Sequence, residues 1–176
     1  MFVLLDALRI LKEKGYLFNC QYVGGETAEI NAVQFSEEGD KRDLNDRVAY
    51  VGRKVGEEKN AFFQQADVFV FPTYYYNECF PLVILEAMEY KLPAISTNEG
   101  GIPDMVKDGE NGLICEKQNP YLLADCIAKL LDDEELRVKM GNAGYDKFCR
   151  EFTLQQFEHR MLDILSQNLP QKEKEN

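Results

Sequence analysis

Histidine is nearly absent: His159 is the only one in 176 residues. That excludes any zinc centre built on two or three imidazoles. A Ser-His-Asp triad would rest on one residue set in the polar helical pattern of 153–167, so His159 reads as a surface helix residue. No apolar run approaches the ~18 residues a membrane-spanning helix needs. The first eight residues lack a basic segment and meet Asp6 at once, which makes a poor signal peptide. Cationic residues are also in short supply, 20 against 31 acidic ones for a net charge of −11. Such a chain has no basic footprint for nucleic acid and no attraction to anionic lipid. Cys20, Cys79, Cys115, Cys126 and Cys149 are odd in number and form no C-x-x-C pair, which favours a reducing compartment. No G-x-x-x-x-G-K-[ST] occurs, so a P-loop nucleotidase is out, and no G-x-G-x-x-G marks a simple dinucleotide site.

What remains is an ordinary globular composition, 45% hydrophobic and 29% charged, at a length suited to one domain. Leu4, Leu5, Leu8 and Leu11 share a helical face that Gly15 can end. A strand is expected over 17–23, closed by Gly24-Gly25. Residues 26–46 are polar, with a weak helical pattern near Ile30 and Val33 and an expected loop through Glu37, Glu38, Gly39 and Asp40. A strand over 48–51 ends at Gly52. A helix over 57–66 turns Ala61, Phe62 and Ala66 inward. Val68-Phe69-Val70-Phe71 is apolar without alternation, as in a strand buried on both faces. Pro81 fits the first position of the next helix. A strand at 93–96, a Gly100-Gly101 turn, a short helix near 102–106, a strand at 113–115 and three further helices complete the chain. Thr153 with Gln156 caps the last helix, and Phe157, Met161, Ile164 and Leu165 form its apolar stripe. Five strands alternating with helices give an α/β fold, a Rossmann-like doubly wound parallel sheet. The domain is read as residues 1–169, with 170–176 as a disordered tail.

Ligands in such sheets bind beyond the carboxyl ends of the strands. The segment after residues 68–71 holds three tyrosines, Tyr74 to Tyr76, then Glu78, and then a helix whose free N–H groups suit phosphate. Tyr74–Tyr76 read as rim packing and Glu78 as a loop acid. Glu86 sits one turn into the helix within an apolar run. A buried lone charge is costly, so it either pairs with a neighbour or accepts a pair of ligand hydroxyls, as a ribose offers.

The ordered series Gly24, Gly52, Ala66-Asp67-Val68-Phe69, Glu78-x7-Glu86-Ala87-Met88, Leu92-Pro93, Gly100-Gly101-Ile102-Pro103, Asp108-Gly109-Glu110-Asn111-Gly112-Leu113 and Glu151-Phe152-Thr153 resembles the carboxyl-terminal domain of family 4 (group 1) retaining glycosyltransferases. These are two-domain enzymes of the GT-B fold. The resemblance implies a donor-binding domain of a hexosyltransferase that moves a sugar from a UDP-, GDP- or ADP-linked donor to a saccharide or lipid-linked acceptor with retention. It implies Glu86 on the ribose and Glu78 at the transferred sugar. Phe80, Pro81, Leu82 and Val83 would border the sugar and diphosphate, and Gly52 with Arg53 the nucleobase. It further implies no metal and no cofactor, no nucleic-acid partner, and a place in the cytoplasm or peripheral to its membrane, in polysaccharide assembly. Cys79 and Pro81 depart from the glycines that flank Phe80 in the common pattern, and Pro81 cannot donate an N–H.

The amino terminus departs further. The family's domain opens with a strand ending in Gly-Arg and a loop bearing Lys, and residues 1–8 match the helix after it. The expectation is a sheet lacking its first strand and a fragment lacking its acceptor domain, inactive alone. The strands at 17–23 and 67–71 would each show an unpaired edge, closed directly or by a segment of a second copy in a strand-exchanged dimer. Two other readings stand beside this one: a non-catalytic nucleotide-sugar or partner-binding module, and a nucleotide-sugar epimerase on the same architecture. A phosphorylase would want a cofactor-bearing lysine, for which Lys91 and Lys107 give no signal.

Overall fold

The computed structural model describes residues 2–27 and 30–168. Its elements run α1 (Phe2–Glu13), β1 (Cys20–Val23), α2 (Ala32–Asp40), β2 (Val48–Gly52), α3 (Gly56–Gln65), β3 (Phe69–Phe71), α4 (Leu82–Glu89), β4 (Ala94–Thr97), α5 (Ile102–Met105), β5 (Gly112–Cys115), α6 (Pro120–Asp132), α7 (Glu134–Glu151) and α8 (Leu154–Asn168). The expected tail at 170–176 lies outside the described residues.

All five strands pair in parallel, but in two groups. β1 pairs with β2, and β3, β4 and β5 form a second sheet with β4 in the middle. Among the described residues neither direct closure nor a six-stranded sheet occurs. β1 and β3 each have one neighbour and one unpaired edge. Side-chain packing joins the two groups. Leu5, Leu8 and Leu11 of α1 share an apolar cluster with Cys20 and Tyr22 of β1, Val70 of β3, Ile95 of β4 and Leu123 and Ile127 of α6. Leu5, Leu11 and Ile95 are wholly buried. Each such side chain contributes about 1.5–3 kcal/mol by leaving water.

The interruption explains one difference from the sequence. Residues 69–71 are half-buried throughout, because one edge of β3 has no strand beside it. The fully buried strand is β4, where Ala94, Ile95, Ser96 and Thr97 are each at most 1% exposed.

Two further differences have local causes. The expected loop at 37–40 is the second half of α2. Asn31 and Gln34 form a reciprocal capping box at its start, and Phe35 buries against Tyr22 and Tyr50. Gly39 is buried in this helix, where a Cβ would lie 2.2 Å from Asn45 Oδ1, the end of a side chain that can turn away. In α3 the inward residue is Phe63, not Phe62 or Ala66. It stacks on Tyr90 with ring centroids 5.5 Å apart and shares a cluster with Phe69, Ala87 and Leu92.

Helix α8 starts where Thr153 and Gln156 place it, the Gln156 N–H donating to Thr153 Oγ1 at 3.3 Å. Its apolar stripe is nevertheless exposed: Phe157, Met161 and Leu165 keep 40–57% of their surface. His159 is exposed too and lies 3.5 Å from Asp163.

The cysteines are all unpaired. Burial pushes the Cys20 thiol up to about 12 and the Cys115 thiol up to about 11, and it raises Cys126 as well. The thiolate is the nucleophile, so these three are inert near neutrality, whereas Cys79 and Cys149 are exposed. Iodoacetamide at pH 8 is therefore expected to alkylate two thiols rapidly in the folded chain and the other three only after denaturation. Rapid modification of Cys20 or Cys115 in the folded protein, read by peptide mass spectrometry, would contradict this packing.

Candidate functional site

Side-chain hydroxyls anchor the carboxyl end of β3. Ser96 Oγ donates to the Phe71 carbonyl at 2.7 Å, and Thr97 Oγ1 donates to the Thr73 carbonyl at 2.6 Å. Both hydroxyls belong to the buried strand β4, which has no freedom to move them. The chain then turns at 74–77, where the Glu78 N–H donates to the Tyr75 carbonyl at 2.8 Å. Tyr74, Tyr75 and Tyr76 are 50–82% exposed, so they stand on the rim instead of packing beneath it.

Backbone-to-backbone contact fixes the loop from the other side. The Gly101 N–H donates to the Cys79 carbonyl at 2.7 Å. A Cβ on Gly100 would lie 1.6 Å from the Glu78 carbonyl oxygen, and one on Gly101 2.6 Å from that of Cys79. Gly100 also has φ +50°. Two residues without side chains are thus required for the peptides of 78 and 79 to sit where they do. The Gly100 turn is steadied by Glu99, whose side chain is 15% exposed and paired with Lys117 at 2.6 Å.

Helix α4 follows at once. Pro81 is its N-cap, with φ −72° and ψ 100°, so Leu82 and not Pro81 takes the first helical position. The Ile84 N–H is bonded to the Pro81 carbonyl at 3.0 Å. Amides of the first turn have no partner within a helix and face outward at its start. Ile84, Leu85 and Met88 bury the opposite flank of α4 against Ile102, Met105 and Val106. This leaves Phe80 and Leu82 exposed, Glu78 half-buried, and Glu86 with 36% of its side chain exposed.

Glu78, Phe80, Pro81, Leu82, Val83 and Glu86 therefore lie on one strand-end loop and the first turns of one helix. Gly52 and Arg53 close β2, in the other sheet, and Arg53 is exposed. Among the described residues no hydrogen bond or ion pair joins Arg53 to α4. The link between the two segments is Lys59 of α3, whose Nζ lies 2.5 Å from Glu86 Oε1. Lys59 carries no signal in the sequence, because an ion pair between residues 27 apart leaves no local pattern. Ser96 and Thr97 were legible only as strand residues. Among the described residues no three His, Cys, Asp or Glu side chains stand together as a metal site would need. No described helix is long and apolar enough to cross a membrane.

The arrangement is a loop and a helix start at the carboxyl end of a parallel strand. It presents two carboxylates and a helix start, which suits a ligand with hydroxyls and phosphate. Comparison with known proteins identifies the family. A profile of the family described as "Glycosyl transferases group 1" matches residues 1–147. The D-inositol 3-phosphate glycosyltransferase of Corynebacterium efficiens is 38% identical over 98 residues, 56% of this chain and 23% of that protein. The capsular polysaccharide biosynthesis glycosyltransferase CapM of Staphylococcus aureus is 33% identical over 152 residues, 86% of this chain and 38% of that one. The chain thus spans well under half the length of these relatives. Among solved structures, Anabaena HepE in complex with UDP superposes with TM-score 0.83 at 19% identity, over 94% of this chain and 44% of HepE. The carboxyl-terminal domain of a group 1 glycosyl transferase, LpcC of Francisella tularensis, gives 0.75 at 24% identity, over 88% of this chain and 80% of that one.

The glycine contact yields a comparison of two substitutions. Gly109→Ala places a side chain at φ +76° in open space, a strain of about 1 kcal/mol. Gly100→Ala adds a backbone clash, and is expected to cost ~1–3 kcal/mol beyond Gly109→Ala in urea denaturation. It is also expected to alter the near-ultraviolet circular dichroism of Tyr74–Tyr76. Equal losses for the two variants would contradict the contact.

Proposed function

Because the chain belongs to the group 1 glycosyltransferases, we propose that it is the donor-binding domain of a hexosyltransferase. In this reading it holds a nucleotide-sugar and takes part in transfer to a saccharide or lipid-linked acceptor with retention of configuration. The observation that carries the reading is the placement of Glu78 and Glu86 around the start of α4, at the carboxyl end of β3. Glu86 accepts the ribose hydroxyls. The amides of Leu82 and Val83, at the positive end of the helix dipole, face the diphosphate. Glu78, held by the glycine turn, borders the transferred sugar and stabilises charge there as the glycosidic bond breaks. Gly52 and Arg53 flank the base. Phe80 and Pro81 shape the floor of the sugar subsite. No metal enters this reading, in which the amides at the start of α4 face the diphosphate.

The UDP bound by HepE supports a nucleotide as the ligand class. Transfer requires a second wall that positions the acceptor against the donor, so these 176 residues alone are expected to bind without turning over. The working place of the enzyme is the cytoplasmic side, free or peripheral to the membrane.

Thermal unfolding with millimolar UDP, GDP and ADP tests the reading. A ligand at 100 times its Kd stabilises by about 2.7 kcal/mol, a shift of a few degrees for a domain of this size. One nucleotide is expected to produce that shift, and Glu86→Ala to abolish it. A full response in Glu86→Ala would remove Glu86 from the site.

The unpaired edges of β1 and β3 carry a second expectation. An open edge offers a row of N–H and C=O groups to another strand. A segment of a second copy filling that place makes a strand-exchanged dimer. Sedimentation equilibrium is expected to show concentration-dependent dimers, and a monomer up to high micromolar concentration would exclude them.

A further inference from the structure

Glu86 is not alone on its flank of α4. Lys59 Nζ lies 2.5 Å from Glu86 Oε1, with 30% and 36% of the two side chains exposed. The two residues come from different elements, α3 and α4, which Phe63 and Tyr90 stack together. Of the cations near the end of β2, Lys54 turns to Glu58 at 3.6 Å and Arg53 is exposed. Lys59 is the one aimed at a carboxylate of the site.

A carboxylate has two oxygens and about four acceptor positions. Lys59 engages Oε1, and among the described residues Oε2 has no hydrogen-bond partner. An ammonium at this distance limits the rotation of the carboxylate. An acceptor already oriented binds its donor with less loss of side-chain entropy. The pair is only partly exposed, so solvent screens it less than a surface pair.

We propose that Lys59 is a positioning residue. It holds Glu86 so that the carboxylate receives the ribose hydroxyls, and it thereby sets the preference for ribonucleotides over deoxyribonucleotides. The proposal rests on the ribose role of Glu86, and the experiment separates the two.

Calorimetry would compare the full chain with its Lys59→Met, Lys59→Arg and Glu86→Gln variants. The probes are whichever of UDP, GDP and ADP shifts thermal unfolding, and its 2′,3′-dideoxy form. The unsubstituted chain is expected to favour the ribonucleotide. Lys59→Met is expected to weaken ribonucleotide binding about tenfold, in line with loss of a charge-assisted hydrogen bond, and to leave dideoxynucleotide binding within about twofold. Lys59→Arg should restore most of the preference, and it reads the same ratio if the methionine variant does not fold. Equal weakening of both probes in Lys59→Met would place Lys59 on the base or diphosphate and overturn the proposal. Tighter ribonucleotide binding would make Lys59 a competitor of the ribose, and unchanged affinity for both probes would make it a bystander; either overturns the proposal. If the unsubstituted chain shows no preference and Glu86→Gln changes nothing, the ribose role of Glu86 itself fails. Absence of binding by all three nucleotides would remove the donor reading as a whole.

Discussion

The Glu78 carbonyl oxygen occupies the space that a side chain on residue 100 would fill, and the site depends on that one contact. Glycine at 100 and 101 lets the turn after β4 press its backbone against the peptides of Glu78 and Cys79. Ser96 and Thr97 hold the same loop from within the sheet through the carbonyls of Phe71 and Thr73. The loop bearing the acid is thus gripped at one end by the buried strand β4 and at the other by the turn that follows it. A functional side chain on a loop is only as well placed as its support. Here that support is backbone, which cannot change rotamer.

The same logic extends to α4. Its apolar flank is locked under α5, and its other flank carries Glu86 toward α3. The packing of Phe63 on Tyr90 and Phe69 fixes how near α3 comes, and so whether Lys59 reaches the carboxylate. A hydrophobic contact thereby sets an electrostatic one. This order of dependence is usual where burial is strong and a part-exposed ion pair is weak.

Much of this was readable from residues alone because the signals are local. The leucines of α1, the glycines ending β1 and β2, and the Glu78-x7-Glu86 spacing each lie within one or two turns of chain. What escaped is what distance or context decides. Gly39 reads as a loop residue until Asn45 is seen across from it, and Phe62 and Phe63 are equivalent by pattern until Tyr90 selects one. β3 is apolar enough for burial on both faces, yet is half-exposed because no strand lies on one side. The stripe of α8 has the right period for a core helix but is exposed, so periodicity reported an apolar face and said nothing of what covers it. The family resemblance was carried by an ordered series over most of the chain, which is why it held where single motifs would not.

The two strand groups share side chains but no backbone hydrogen bonds. Cooperativity between them consequently passes through side-chain contacts, those of α1 and its leucines among them, and not through a continuous ladder. Loosening α1 would leave β1-β2 and β3-β4-β5 as separate units with their own opening free energies, a division that native-state amide exchange resolves. The chain is therefore joined by its packing where its backbone hydrogen bonding divides it.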